Sequence, residues 1–187
     1  MVVIPKKLWE GKMTKIQAVF IDRDGTIGGT GHFIHPRDFH LYEGAQEAIN
    51  RLKQAGLKVY AFTNQHRISR GEATIEQFKE QFEQFGFDDA FICPHGDADD
   101  CTCKKPKPCM LFEASQKYGL ELNRCIVIGD VGSTDMLAAN AVGAIKVLVR
   151  TGWGESSLTT YRHNWKEVEP DYIAEHIRDA ASWITDK

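Results

Sequence analysis

Phe20-Ile21-Asp22-Arg23-Asp24-Gly25-Thr26 decides how this chain is read. Upstream of it, Ile16 to Ile21 is a short apolar run with β-branched residues, the pattern of a buried strand. Two aspartates, two positions apart, follow where that strand ends. On extended backbone, side chains alternate with period two, so both carboxylates would aim to one side. Gly25 and Thr26 then turn the chain. Carboxylates converging there can hold a divalent cation, while one attacks phosphorus and the other moves a proton. The same string is equally a turn rich in Asx residues; its companions elsewhere in the chain decide between the two.

Those companions sit in an alternation of strands and helices, the signature of a doubly wound parallel α/β sheet. Gly44 to Gln54 has helical spacing through Ala45, Ala48, Ile49 and Leu52 and stops at Gly56. Lys58 to Thr63 reads as a second strand. Thr74 to Phe85 reads as an amphipathic helix with Ile75, Phe78, Phe82 and Phe85 on its core face. Ala90 to Cys93 is a third strand, Pro108 opens a helix to Tyr118, and Cys125 to Gly129 is a fourth strand. Ser133 to Ala141 is a short helix and Ile145 to Val149 a fifth strand. Thr151 to Glu169 reads as loop, its Trp153 and Trp165 packing the C-terminal segment, and Asp171 as the cap of a last helix through Trp183.

The chain has 187 residues, 42% hydrophobic and 26% charged, the composition of one ordinary globular domain over 1–187. Lys plus Arg is 23 against 26 for Asp plus Glu, a net charge of −3, which argues against nucleic acid or anionic membrane as a partner. No apolar run approaches the roughly 20 residues of a membrane span. Met1 to Lys15 lacks the apolar stretch of a signal peptide, so the expectation is a cytoplasmic protein acting as a monomer on a small molecule. The chain has five cysteines, an odd number, and three of them crowd between Cys93 and Cys103 beside His95. That spacing suits a metal better than disulfides.

In open parallel sheets, ligands sit beyond the carboxyl ends of the strands. Read that way, four strand ends bring polar groups to one crevice: Asp22 and Asp24, then Thr63 and Asn64, then Lys105, then Asp130 with Asp135 five residues on. Four acids with a lysine and a hydroxyl make little sense as core. They suit Mg²⁺ and a phosphoryl group, where cation and lysine offset charge on the equatorial oxygens. Separately, Cys93-Pro94-His95 and Cys101-Thr102-Cys103 offer one imidazole and three thiolates, the ligand set of a tetrahedral Zn²⁺ site. Four protein ligands leave no position for water, so that zinc would be structural, holding the loop that carries Lys104 and Lys105. Cys125 opens a buried strand and reads as a small apolar filler; Cys109 has no assigned role.

The segments DRDGT, FTNQ, KKPKP and GDVGSTD resemble, in order and context, the four motifs of the haloacid dehalogenase (HAD) superfamily of phosphohydrolases, over Ile16 to about Thr151. The resemblance implies that Asp22 attacks phosphorus and that Asp24 protonates the leaving alcohol and then activates water. It implies that Thr63 and Lys105 hold phosphoryl oxygens and that Asn64, Gln65 and Lys104 face substrate. Mg²⁺ would bind the Asp22 carboxylate, the Asp24 carbonyl and Asp130, with Asp135 in support. An acid at position 24 favours phosphate chemistry over dehalogenation, because an alkoxide needs a proton and a halide does not.

The CPH and CxC zinc loop resembles two branches of that superfamily, the heptose bisphosphate and the histidinol phosphate phosphatases. KVLVRTG at Lys146 to Gly152 and KPCM look more like the former, and the short loop CPHGDADDCTCKKPK suits the latter. FTNQ before an arginine-glycine loop also occurs in polynucleotide 3′-phosphatases, and a non-catalytic zinc-stabilised binding module is the reading from another class. Lys104 stands where those branches usually place an arginine, Val131 where a basic residue is common, and His66 to Gly71 where small residues are usual. Only about forty residues separate Asp22 from Thr63, and Thr63 from Lys105, which leaves no room for a large cap domain. Selectivity would then fall to the loops Gly28 to His35 and Gln65 to Arg70 and to the zinc loop, with His32, His35 and His66 read as turn or surface residues.

Overall fold

The structure, a computed structural model, describes residues 16–186; the reading of Met1 to Lys15 lies outside them. Six strands, β1 (Ala18–Ile21), β2 (Lys58–Asn64), β3 (Asp89–Cys93), β4 (Cys125–Gly129), β5 (Ile145–Val149) and β6 (Tyr172–Ala174), form one parallel sheet in the order β3-β2-β1-β4-β5-β6. The strand order reverses between β1 and β4, where Ile21 lies opposite Ile128. A crevice opens beyond the carboxyl ends of strands at such a reversal. The chain therefore puts its two acid-bearing strand ends side by side.

Strand alternation divides the core. Val19, Ile21, Val59, Ala61, Ile126, Ile128 and Val147 face helices α1 (Ala45–Gln54), α2 (Ile75–Gln84) and the C-terminal α6 (Ile177–Thr185). Phe20, Tyr60, Phe62, Phe91 and Val127 face α3 (Cys109–Tyr118) and α4 (Leu137–Ala141). Helix α2 begins with a full capping box, in which the Thr74 hydroxyl accepts from the Gln77 amide and the Gln77 side chain accepts from the Thr74 amide. Of its apolar stripe, Phe78 and Phe82 are buried, and the Phe78 ring also packs against the Arg23 guanidinium.

Two expectations are corrected at the C-terminus. Asp171 does not cap the last helix: its Oδ2 accepts from the Lys146 amide at 2.8 Å, its amide donates to the Lys146 carbonyl, and the Lys146 ammonium lies 2.9 Å from the same carboxylate. These contacts draw Tyr172–Ala174 alongside β5 as a sixth strand, and His176 caps α6 instead, its Nδ1 accepting from the Asp179 amide. The segment after Thr151 is not all loop either, because Gly154–Leu158 forms a short helix, α5. Among the described residues no helix is long and apolar enough to cross a membrane.

Candidate active site and metal centre

The turn after β1 is shaped by what it must clear. Gly25 has φ +89°, and a Cβ there would lie 2.2 Å from Asp130 Oδ2. Gly152, at φ +57°, backs onto it, and a Cβ on that residue would meet the same oxygen at 2.2 Å and the Gly25 Cα at 2.4 Å. Two left-handed glycines from two strand ends thus close around one carboxylate, which only glycine permits at low cost. Asp130 is fully buried, its Oδ2 accepting from the Trp153 amide at 2.8 Å and its Oδ1 from the Thr26 hydroxyl at 3.3 Å. After β4, a wide i+5 turn over Gly132–Met136 swings Asp135 back toward the sheet, so that its Oδ2 accepts from the Val131 amide at 3.0 Å.

Asp22, Asp130 and Asp135 each offer an oxygen, and those oxygens lie within 4.8 Å of one another. The Lys105 ammonium, 4% exposed, spends all three protons here, on Asp22 Oδ1 at 2.7 Å, Asp135 Oδ1 at 2.6 Å and the Phe62 carbonyl at 2.8 Å. Burial opposes its charge, but attraction to Asp135 and Asp22 outweighs that and raises its pKa. Burial, and then the charges of Asp22 and Asp135, push the Asp130 carboxyl well above the ordinary carboxylate range. Burial likewise takes Asp135 up to about 6 against the pull of Lys105. One ammonium cannot neutralise three crowded acids, and a hard divalent cation with oxygen ligands would; the donor set therefore fits Mg²⁺.

Asp24 is held at both oxygens. Its Oδ1 accepts from Arg23 at 2.6 Å and its Oδ2 from the Gln65 amide at 2.7 Å. Burial raises its pKa, while Arg23 and Gln65 pull it down. The Gln65 amide also reaches the Thr63 hydroxyl at 2.9 Å. Asn64 grips the backbone of Lys105, its Oδ1 accepting from the Lys105 amide at 3.0 Å and its Nδ2 donating to the Lys105 carbonyl at 3.3 Å. Lys104 is paired with Asp97 in the adjoining loop. Thus Asp22, Asp24, Thr63, Gln65, Lys105, Asp130 and Asp135 are brought together, Asn64 supports them from behind, and Lys104 stands to one side. Sequence reasoning missed Arg23, which is fully buried; its neighbours Asp22 and Asp24 carry no signal of that burial, which Phe39 and Phe78 supply from distant segments.

The second cluster also assembles. Sγ of Cys93 lies 3.6 Å from Cys101 Sγ, 3.2 Å from Cys103 Sγ and 3.6 Å from His95 Nδ1, which is 3.2 Å from Cys103 Sγ. Zinc–sulfur bonds near 2.3 Å imply ligand separations of about 3.8 Å, so these four atoms fit a closed Zn²⁺ site. The cluster braces the loop after β2, where the Cys93 carbonyl accepts from the Gln65 amide at 2.7 Å and the Pro94 carbonyl from the Ser69 amide at 3.1 Å. Cys125 is buried as a filler should be. His35 caps a short turn through its Nδ1, which accepts from the Arg37 amide, and His32 sits edge-on to Trp153 at 5.1 Å. Trp165 is buried and Trp153 is not only packing: with Gly31, Val131, Ser133, Tyr161 and Asn164 both line a cavity of about 360 Å³ beside Asp130, and that lining carries no charged side chain.

Comparison with known proteins agrees with this geometry. A HAD-hydrolase-like family model matches residues 102–180. The D-glycero-beta-D-manno-heptose-1,7-bisphosphate 7-phosphatase of Helicobacter pylori is 34% identical over 183 residues, 92% of this chain and 99% of its own. The protein of the same name from Pseudomonas aeruginosa is 38% identical over 152 residues, 75% of this chain and 84% of its own. Among solved structures, the D,D-heptose 1,7-bisphosphate phosphatase of B. bronchiseptica, complexed with magnesium and phosphate, superposes with a TM-score of 0.79 at 28% identity, covering 91% of this chain and 99% of the other.

Proposed function

This chain belongs to the HAD-like phosphatase family and is a phosphoric monoester hydrolase; from that premise we propose that it removes phosphate from a small sugar phosphate through a phosphorylated Asp22. The observation that carries the reading is the cluster of Asp22, Asp130 and Asp135 around Lys105 at the point where strand order reverses. Among the described residues, Asp22 Oδ2 makes no hydrogen bond, which leaves it free to attack phosphorus while Lys105 holds Oδ1. The bond from phosphorus to the leaving oxygen breaks, and Asp24 gives that oxygen its proton. Asp24 then takes a proton from the water that attacks phosphorus, and the bond to Asp22 breaks. Thr63 would hold a phosphoryl oxygen, joined by Lys105 once one of its three protons turns from a carboxylate to the phosphoryl group, and the Asp22 and Asp130 carboxylates with the Asp24 carbonyl would hold Mg²⁺. That ion offsets charge on the phosphoryl group when bound. Asn64 and Gln65 fix Lys105 and Asp24, and Lys104, once it leaves Asp97, would reach substrate from the zinc loop.

The relatives point to D-glycero-β-D-manno-heptose 1,7-bisphosphate as the substrate. The cavity beside Asp130 supports a sugar in the leaving group, since the apolar faces of Trp153 and Tyr161 and the neutral side chains of Ser133 and Asn164 suit its hydroxylated carbon chain, while the 1-phosphate that it keeps would need a cation outside this lining. The test is phosphate release with and without Mg²⁺ from that heptose ester, histidinol phosphate and a 3′-phosphorylated oligonucleotide. The expected result is Mg²⁺-dependent turnover with kcat/KM highest for the heptose ester. Preference for histidinol phosphate or the oligonucleotide would overturn the substrate, and inactivity on all three would return the chain to a binding role.

A further inference from the structure

Arg23 is the largest fully buried side chain of the described residues. Its guanidinium lies 3.8 Å from the centre of the Phe39 ring and 4.9 Å from that of Phe78. Two rings thus cover the cation where water would, and each edge has an acceptor: Nε donates to Gln81 at 2.9 Å, one terminal nitrogen to the Ile34 carbonyl at 3.0 Å, and the other to Asp24 Oδ1 at 2.6 Å. Gln81 is itself buried and donates to the Pro36 carbonyl at 2.6 Å. A guanidinium buried for stability alone is a poor choice, because apolar residues of like volume usually do as well. Here one arm of the guanidinium meets the carboxylate that must face the leaving oxygen, and its other donors tie that carboxylate to the segment after β1 and to α2.

We propose that Arg23 is a positioning residue which, braced by Gln81 and packed against Phe39 and Phe78, fixes the Asp24 carboxyl toward the leaving oxygen. Among the described residues, the turn at 34–36 anchors this arrangement through the Ile34 and Pro36 carbonyls, which accept from Arg23 and Gln81. Gln65 holds the other oxygen of Asp24, so the group is restrained at two points and loses little freedom on reaching the transition state. The inference rests on the reading of Asp24 as the proton donor.

A pair of aryl esters separates positioning from mere support. Phenyl phosphate and 2,4-dinitrophenyl phosphate share a ring, but only phenoxide needs a proton to leave, and kcat/KM reports the steps up to its departure. In Arg23→Met, kcat/KM for phenyl phosphate should fall about 100-fold and that for the dinitrophenyl ester by no more than about threefold. Gln81→Met should show a smaller split of the same sign, and Arg23→Lys should stay close to Arg23→Met, because lysine lacks the fork. Should Arg23→Met fail to fold, Gln81→Met and Arg23→Lys decide alone. Equal loss on both esters in the folded variants, or none on either, overturns the proposal. A wild type that cleaves neither ester with Mg²⁺ overturns the phosphatase reading itself.

Discussion

Lys105 is the residue on which the charge balance of the site turns. Its ammonium is bonded to two buried carboxylates and a carbonyl, so Lys105→Met keeps most of the volume and leaves Asp22 and Asp135 facing each other unpaired. Breaking a buried pair from one side costs about 3–5 kcal/mol, and urea unfolding of Lys105→Met without added metal should show a loss of that order. A loss below about 1 kcal/mol would mean that the acids are not held by this cation. At this scale the sequence was most readable for groups whose spacing has a chemical reason. Asp22, Asp24, Asp130 and Lys105 could each be named because phosphate chemistry needs them at strand ends. Arg23 could not, since nothing local says whether a cation beside an acid points to water or into the core; that depends on Phe39 and Phe78 arriving from distant segments.

Among the elements, the zinc loop separates structure from chemistry most cleanly. Its four ligand atoms bring together the end of β3 and the run that leads to Lys105, while the backbone of the same loop supports Gln65. Removing one ligand should loosen the loop first. Cys101→Ser should therefore lower Tm by more than about 4 °C, as a loss of several kcal/mol implies for a domain of this size. At 25 °C its kcat should change far less, and fresh wild-type protein should hold one zinc per chain by elemental analysis. Protein that purifies without zinc at unchanged Tm would remove the metal from the account. The C-terminal elements show where sequence patterns stop informing. Tyr172–Ala174 is too short to carry an alternating signal, and its place is set by Asp171 reaching Lys146 across 25 positions. The strands of the sheet's centre were legible because each carries an apolar run buried on both faces, Val59 to Phe62 in β2.

For the molecule as a whole, topology explains why so few residues suffice. Strand order β3-β2-β1-β4-β5-β6 puts the ends of β1 and β4 in contact at the reversal, and the back-to-back turn of Gly25 and Gly152 seals Asp130 between them. The zinc loop then delivers Lys105 from the β3 side, and the turn that follows β5 frames the uncharged cavity from the other. The central claim is that this gathering lets Asp22 take phosphate covalently. Acid quenching during turnover, borohydride reduction and peptide mass spectrometry test it directly, since reduction of an aspartyl phosphate leaves homoserine at that position. Homoserine at position 22, formed only with Mg²⁺ and substrate present, is the expected result. Homoserine at position 24 instead, or turnover with none at any aspartate, would contradict it.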